Sequence, residues 1–237
     1  WLAPFNLGAV FMRIVIPLIF GIVGTAVLVS LGIWQLQRLN WKESVIAQID
    51  ARIGDAPVAL PATATEAADE YLPVQVAGSF TDSEIDVLTS LKGIGPGYRV
   101  IAAFQTEDGR RILVDRGFIL QTDKAAARPS VEAVITGNLL WPDETDGFTP
   151  DPDLTANIWF ARNLPAMAAN LKTEEILVVA RTTTETDSPV TPLPVDSAGI
   201  ANNHLEYVVT WFGLAVVWVL MTGYFLWRQR RPVIQRP

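Results

Sequence analysis

The sequence predicts a membrane protein in which two transmembrane helices flank an exterior α+β domain, either mostly antiparallel sheet or a small open barrel. Two uncharged runs, Ile14–Trp34 and Val208–Trp227, are 21 and 20 residues long. A helix needs about 20 apolar residues to cross the hydrocarbon core of a bilayer. Between them, short stretches of alternating apolar and polar residues are separated by turn residues, which is typical of strands.

The two runs divide the chain into five segments. We predict a short cytoplasmic tail over 1–13, a first transmembrane helix over 14–36 and a second over 204–227. The exterior domain and its linker occupy 37–203, and a basic cytoplasmic tail occupies 228–237. The first helix is expected to continue beyond the membrane, because Trp34, Arg38, Trp41 and Val45 share one helical face.

Charge placement predicts the orientation. All 25 acidic residues lie between Glu43 and Glu206, whereas four arginines lie in the last ten residues. Short basic tails stay in the cytoplasm, so we place the central domain on the periplasmic side of a bacterial inner membrane, as a multi-pass protein. The mitochondrial inner membrane is the alternative. The acidic middle argues against nucleic acid as a partner, because phosphate contacts need Lys and Arg.

The central domain is predicted to contain seven strands and one short helix. A hairpin turn is expected at residues 107–110, where Glu-Asp-Gly-Arg separates two apolar stretches. The regions 54–70 and 184–203 are interpreted as a loop and a linker. The predicted strands are Tyr71–Phe80, Ile85–Leu91, Tyr98–Thr106, Arg111–Ile119, Val131–Leu140, Ile158–Arg162 and Glu175–Thr183, and the helix is Pro165–Lys172.

Small residues in both apolar runs suit close packing between the two helices. The alternative is that these residues only reflect the normal frequency of small residues in membrane helices. The residues are Gly21, Gly24, Thr25, Gly32, Gly213, Ala215 and Gly223.

The only histidine, His204, stands at the start of the second apolar run, where Asn202 or Asn203 can cap the helix. At helical spacing, Tyr207 and Trp211 continue one stripe from His204. An imidazole beside aromatic rings could hold a planar cofactor, or it could be an interfacial anchor. The chain has no cysteine, which removes disulfides, thiolate nucleophiles and iron–sulfur clusters.

The stretch 203–215, Asn-His-Leu-Glu-Tyr-Val-Val-Thr-Trp-Phe-Gly-Leu-Ala, resembles the second-helix signature of the Surfeit locus protein 1 family. The stretch 31–42, Leu-Gly-Ile-Trp-Gln-Leu-Gln-Arg-Leu-Asn-Trp-Lys, is similar to the end of that family's first helix. The central hairpin also resembles the family, although Asp115-Arg116-Gly117-Phe118 stands where the usual pattern is close to Asn-Arg-Gly-Trp.

The resemblance implies a membrane-anchored assembly factor, or chaperone, for haem-copper cytochrome c oxidase of the respiratory chain. It implies that haem A is bound at His204, which would also be the metal ligand. The implied partners are the oxidase core subunit and the lipid bilayer, with haem A synthase as a further candidate.

Antiparallel packing would bring Arg38, Trp41 and Lys42 to the depth of the histidine. A guanidinium or an ammonium could pair there with haem propionates. The alternative is an aromatic belt with snorkelling cations.

Other functions have less support. A cofactor-free structural accessory subunit of the oxidase is the main alternative, and a two-span sensor is weaker because the tails are too short for a signalling domain. We expect no enzyme, since no catalytic constellation is visible. The acidic residues of the Pro142–Pro152 loop lack the spacing of a calcium site.

Overall fold

The computed structural model describes residues 7–197 and 202–229. The chain forms two compact units: a helical unit of residues 1–47 and 198–237, and a barrel unit of residues 48–197. Helix α1, Leu7–Gly54, contributes to both units. The predicted domain bounds stay predictions.

The helical unit consists of α1 and helix α4, His204–Gln229. Both are long and apolar enough to cross a membrane. As expected, α1 does not stop at the end of its apolar run but continues unbroken to Gly54. A helix that began with the apolar run at Ile14 would have Pro17 in its first turn, but α1 begins at Leu7 and Pro17 lies in its interior.

The barrel unit contains seven strands. Strands β2, β3, β4, β7 and β5 are neighbours in that order, and β5 pairs again with β2, so five strands close into a small barrel. Most neighbours are antiparallel, but β4 and β7 run parallel. The strands are β1 Val58–Ala59, β2 Pro73–Leu91, β3 Gly95–Thr106, β4 Arg111–Leu120, β5 Glu132–Leu140, β6 Ile158–Trp159 and β7 Leu177–Thr183.

The α+β class is confirmed, and several predicted elements are corrected. The two strands predicted over 71–91 form one 19-residue strand, β2, whose register with β3 shifts between Phe80 and Glu84. This irregularity accommodates residues 81–84, which separate the two predicted strands. The strand predicted at Ile158–Arg162 is only two residues long, and the predicted 54–70 loop contains β1 and helix α2, Glu66–Asp69.

The hairpin prediction is confirmed. Strands β3 and β4 flank residues 107–110, and Gly109 adopts a φ of 89°, which a residue without Cβ tolerates best. Helix α3, Leu164–Leu171, replaces the helix predicted at Pro165–Lys172 with a shift of one residue at each end. The Asn163 side chain accepts from Ala166 N and caps its first turn.

Two apolar layers stabilise the barrel unit. Alternate strand residues fill its interior, where the rings of Phe80 and Phe104 meet edge to face at 5.0 Å. The opposite face of β2, β3, β4 and β7 is covered by α3, with Met167 fully buried. Burial of such side chains contributes about 1.5–3 kcal/mol each.

The last turn of α1 is tied to this barrel by polar side chains. Asn138 Nδ2 donates to Ile53 O at 3.1 Å and to Tyr71 O at 2.9 Å, and Arg181 Nη1 also donates to Ile53 O at 3.1 Å. The C-terminal carbonyls of a helix have no partner within the helix. Side chains of the barrel therefore donate the hydrogen bonds that the Ile53 carbonyl at the end of α1 would otherwise lack.

A buried carboxylate holds the β3–β4 hairpin and its neighbours together. Asp115 is fully buried, with Arg99 Nε at 2.7 Å and Arg162 Nη1 at 3.4 Å from its Oδ2. Its Oδ1 accepts from Gly117 N at 3.0 Å. Burial raises the pKa of Asp115, and the charges of Arg99 and Arg162 offset only part of that rise.

We expect Asp115→Ala to destabilise the barrel unit by about 3–5 kcal/mol, because removal of one partner leaves the two largely buried arginines without their shared carboxylate. Urea unfolding of a Gln48–Ser197 fragment, followed by circular dichroism, measures this. Asp151→Ala, which removes an exposed carboxylate, is the control and should change stability by no more than about 0.5 kcal/mol. Equal effects of the two substitutions would contradict the structural role of Asp115.

Candidate functional site

Three glycines on α1 allow α4 to approach closely. A Cβ atom at Gly21 would collide with Thr222, one at Gly24 would collide with Trp218, and one at Gly32 would lie 2.9 Å from the Phe212 ring. These contacts define an antiparallel interface, which we call the helix seam. The seam confirms the predicted packing role of the α1 glycines.

Trp218 also makes a hydrogen bond and an aromatic contact across the seam. Its ring Nε1 donates to the backbone oxygen of Gly21 at 3.2 Å, and its ring lies 5.5 Å from that of Phe20. On α4, Ala215 is buried as expected. The same expectation was wrong for Gly213 and Gly223, since a Cβ atom at either position would have no neighbour within 4 Å.

At the N-terminal end of α4, His204 meets Gln35 across the seam. His204 Nδ1 lies 2.8 Å from Gln35 Oε1, and Gln35 is only 8% exposed. A carbonyl oxygen can only accept, so Nδ1 carries the proton and donates it. A neutral imidazole has one proton on its ring nitrogens, so Nε2 keeps its lone pair.

The start of α4 differs from one sequence expectation. The side-chain oxygen of Asn202 is buried and accepts no hydrogen bond in the part of the chain that the structure describes. Asn202 is therefore not the helix cap. Burial of its Oδ1 without a partner among the described residues costs free energy.

The other predicted site residues lie on the same two helices as this pair. Tyr207 is 53% exposed, Trp211 is half-buried, and Lys42 is half-buried on the face of α1 that carries Gln35. The Arg38 guanidinium stacks over the Trp41 ring at 4.2 Å. Among the described residues, none of these five side chains hydrogen-bonds to His204, and their binding role stays a prediction.

Gln35 is the residue that sequence reasoning missed. It directly follows the 21-residue uncharged run Ile14–Trp34, so its position indicates the end of a span. Its partner lies 169 positions further along the chain. Gln35 follows Gly21 and Leu28 at intervals of seven residues. This heptad spacing could have predicted its place on the seam face of α1.

The chemistry of the site is that of a single nitrogen donor. No group of three or more His, Cys, Asp or Glu within the described ranges could hold a metal ion. A multi-ligand ion site therefore does not fit these residues. One imidazole with a hydrogen-bonded Nδ1 fits a metal that brings most of its own ligands, as a haem iron does.

Comparison with known proteins decides the family. The SURF1 family profile matches residues 22–216, which include both Gln35 and His204. The chain belongs to the SURF1 family. This confirms the resemblance drawn from residues 31–42, 97–118 and 203–215.

Named relatives come from animals and bacteria. Surfeit locus protein 1 of Rattus norvegicus is 28% identical over 223 residues, covering 84% of this chain and 71% of the relative. Its counterpart in Xenopus tropicalis is 32% identical, covering 78% and 67%. A SURF1-like protein of Rickettsia conorii is 29% identical, covering 86% and 88%.

We expect Gly24→Leu to weaken the helix seam by about 1–3 kcal/mol, because a side chain at this position overlaps Trp218. Unfolding of the full chain in mixed micelles, titrated with sodium dodecyl sulfate, measures the loss. Gly213→Leu makes the same substitution where a Cβ atom would meet nothing within 4 Å, and it should leave the midpoint unchanged. Equal unfolding midpoints for the two variants would contradict the packing described for the helix seam.

Proposed function

We propose that this protein is a membrane-anchored assembly factor for haem-copper cytochrome c oxidase, which holds haem A at His204 and hands it to the oxidase core subunit. The observation that carries the proposal is the partly buried Gln35–His204 hydrogen bond, which leaves His204 Nε2 available as a donor. Family membership supports the same function. The work is carriage and positioning and not bond making.

His204 would supply one axial ligand. Because a haem would bring most of the ligands of its own iron, His204 would need to supply only one nitrogen donor. The chain has no second histidine and no cysteine. A single protein ligand holds the cofactor less firmly than two would, which suits a protein that must give the cofactor away.

The other predicted site residues have chemistry that suits a planar dianionic molecule. Arg38 and Lys42 carry the positive charge that carboxylate groups attract. The rings of Tyr207, Trp211 and Trp41 can pack on a macrocycle. Tyr207 and Trp41 are both exposed, and the Arg38 guanidinium covers one face of the Trp41 ring.

A cofactor-free accessory subunit is the alternative function. Its support is a pair of exposed apolar side chains on the barrel unit, Phe148 at 93% and Leu154, in the 142–157 region. Exposed aromatic residues of this kind are common contact points for partner proteins. Under this alternative the His204–Gln35 bond would only hold the helices together.

His204→Ala separates these functions. We expect the variant to reach the membrane at normal levels but to lose most of the Soret absorption that the wild type carries when produced alongside haem A synthesis. Oxidase maturation should slow without stopping. Leu205→Ala alters the adjacent, exposed side chain and should keep the spectrum. A wild type that carries no haem under ample haem A supply would exclude the carrier function.

We also propose that the barrel unit lies on the periplasmic side of a bacterial inner membrane and that both termini are cytoplasmic, since the arginine-rich end should remain inside. An alkaline phosphatase reporter, active only outside the cytoplasm, should work when inserted near Gly147 and fail when fused after Pro237. The reverse pattern would refute this topology.

A further inference from the structure

We infer that Gln35 is a positioning residue that fixes the tautomer of His204, so that Nε2 and not Nδ1 is the nitrogen that binds the ligand. The inference rests on the proposed function for the identity of that ligand. Its geometric basis is independent: one hydrogen bond of 2.8 Å from His204 Nδ1 to Gln35 Oε1. Gln35 acts through His204 and does not itself touch the ligand.

The hydrogen bond selects between two forms of the ring. A neutral imidazole carries its proton on either Nδ1 or Nε2, and the partner of one nitrogen decides which. An amide oxygen facing Nδ1 stabilises only the form protonated there. In histidine–metal sites, such an outer partner fixes the orientation of the ring and increases its basicity, and its loss typically costs 10–100-fold in affinity.

The helix seam determines whether the two groups can meet. Gln35 follows Gly32 by three residues, so both lie on the seam face of α1. At Gly32 the Phe212 ring of α4 occupies the space that a side chain would need. Because Gln35 is buried and away from water, its amide oxygen has few competing partners, and an acceptor of a different length would not reach His204 in the same register.

The chain offers a direct test because it contains one histidine. We would label histidine with ¹⁵N and record the imidazole nitrogen resonances of the full-length, haem-free protein in lipid nanodiscs at about pH 8.5, where an ordinary imidazole is neutral. The wild type should show a protonated Nδ1 and an unprotonated Nε2. Gln35→Leu, of similar size and without an acceptor, should shift the proton to Nε2 or give a mixture of forms.

Two further variants refine the test. Gln35→Glu keeps an oxygen acceptor at the same length and should retain the Nδ1-protonated form. Gln37→Leu makes the leucine substitution two residues away on the same helix, at an exposed side chain, and should leave the nitrogen resonances as in the wild type.

Titration with haem A provides the second readout. We expect Gln35→Leu to raise the Kd about 10–100-fold and Gln35→Glu to restore tight binding. Gln35→Glu should also lower the reduction potential of the bound haem relative to the wild type, since a carboxylate partner makes the imidazole a stronger donor. Gln37→Leu should match the wild type in both measurements.

The outcomes are separable. If Gln35→Leu keeps the proton on Nδ1, the inference is overturned, even if haem affinity falls, because Gln35 would then act by packing alone. If Gln35→Leu moves the proton but the wild type binds no haem A, the control of the tautomer by Gln35 is upheld and the carrier function fails. A wild-type protein with the proton on Nε2 would overturn the inference directly.

Discussion

Close contact between α1 and α4 is the constraint on which the candidate site depends. Between helices in a hydrocarbon environment, burial of apolar surface gains little, so association relies on tight packing and on hydrogen bonds. Gly21 and Gly24 give α4 room, and the Trp218 indole donates to a backbone oxygen of α1. These contacts set the axial register of the two helices, and that register brings Gln35 to His204 at the other end of the seam.

The family-like hairpin of the barrel unit has a structural explanation that does not involve the site. Asp115 forms ion pairs with two arginines and accepts a hydrogen bond from the amide of Gly117. Gly117 adopts a φ of 121°, and a Cβ atom there would collide with Thr191 O. Phe118 N in turn donates to Thr191 O at 2.7 Å. The motif 115–118 therefore holds the segment around Thr191 against the barrel, and the chemistry proposed here belongs to the helices alone.

Local patterns predicted the spans, the β3–β4 hairpin and helix α3, because length, turn residues and capping residues determine them within a few positions. Closure of the barrel depends on pairing between β2 and β5, about 60 residues apart, which a local pattern does not encode. The role of Gln35 was not predicted for the same reason, because it depends on a residue of another helix. Gly213 and Gly223 were assigned to packing by residue type, but a Cβ atom at either position would have no neighbour within 4 Å.

The central claim is that the imidazole of His204 binds haem iron through Nε2 while Gln35 holds Nδ1. Pulsed electron paramagnetic resonance of the ferric haem A complex, prepared with ¹⁵N-labelled histidine, tests it most directly, because the chain's one histidine makes any labelled coupling unambiguous. We predict a strong coupling from one directly bonded nitrogen and a weak coupling from the remote, protonated nitrogen of the same ring. Bound haem without any coupling to the label would contradict the account.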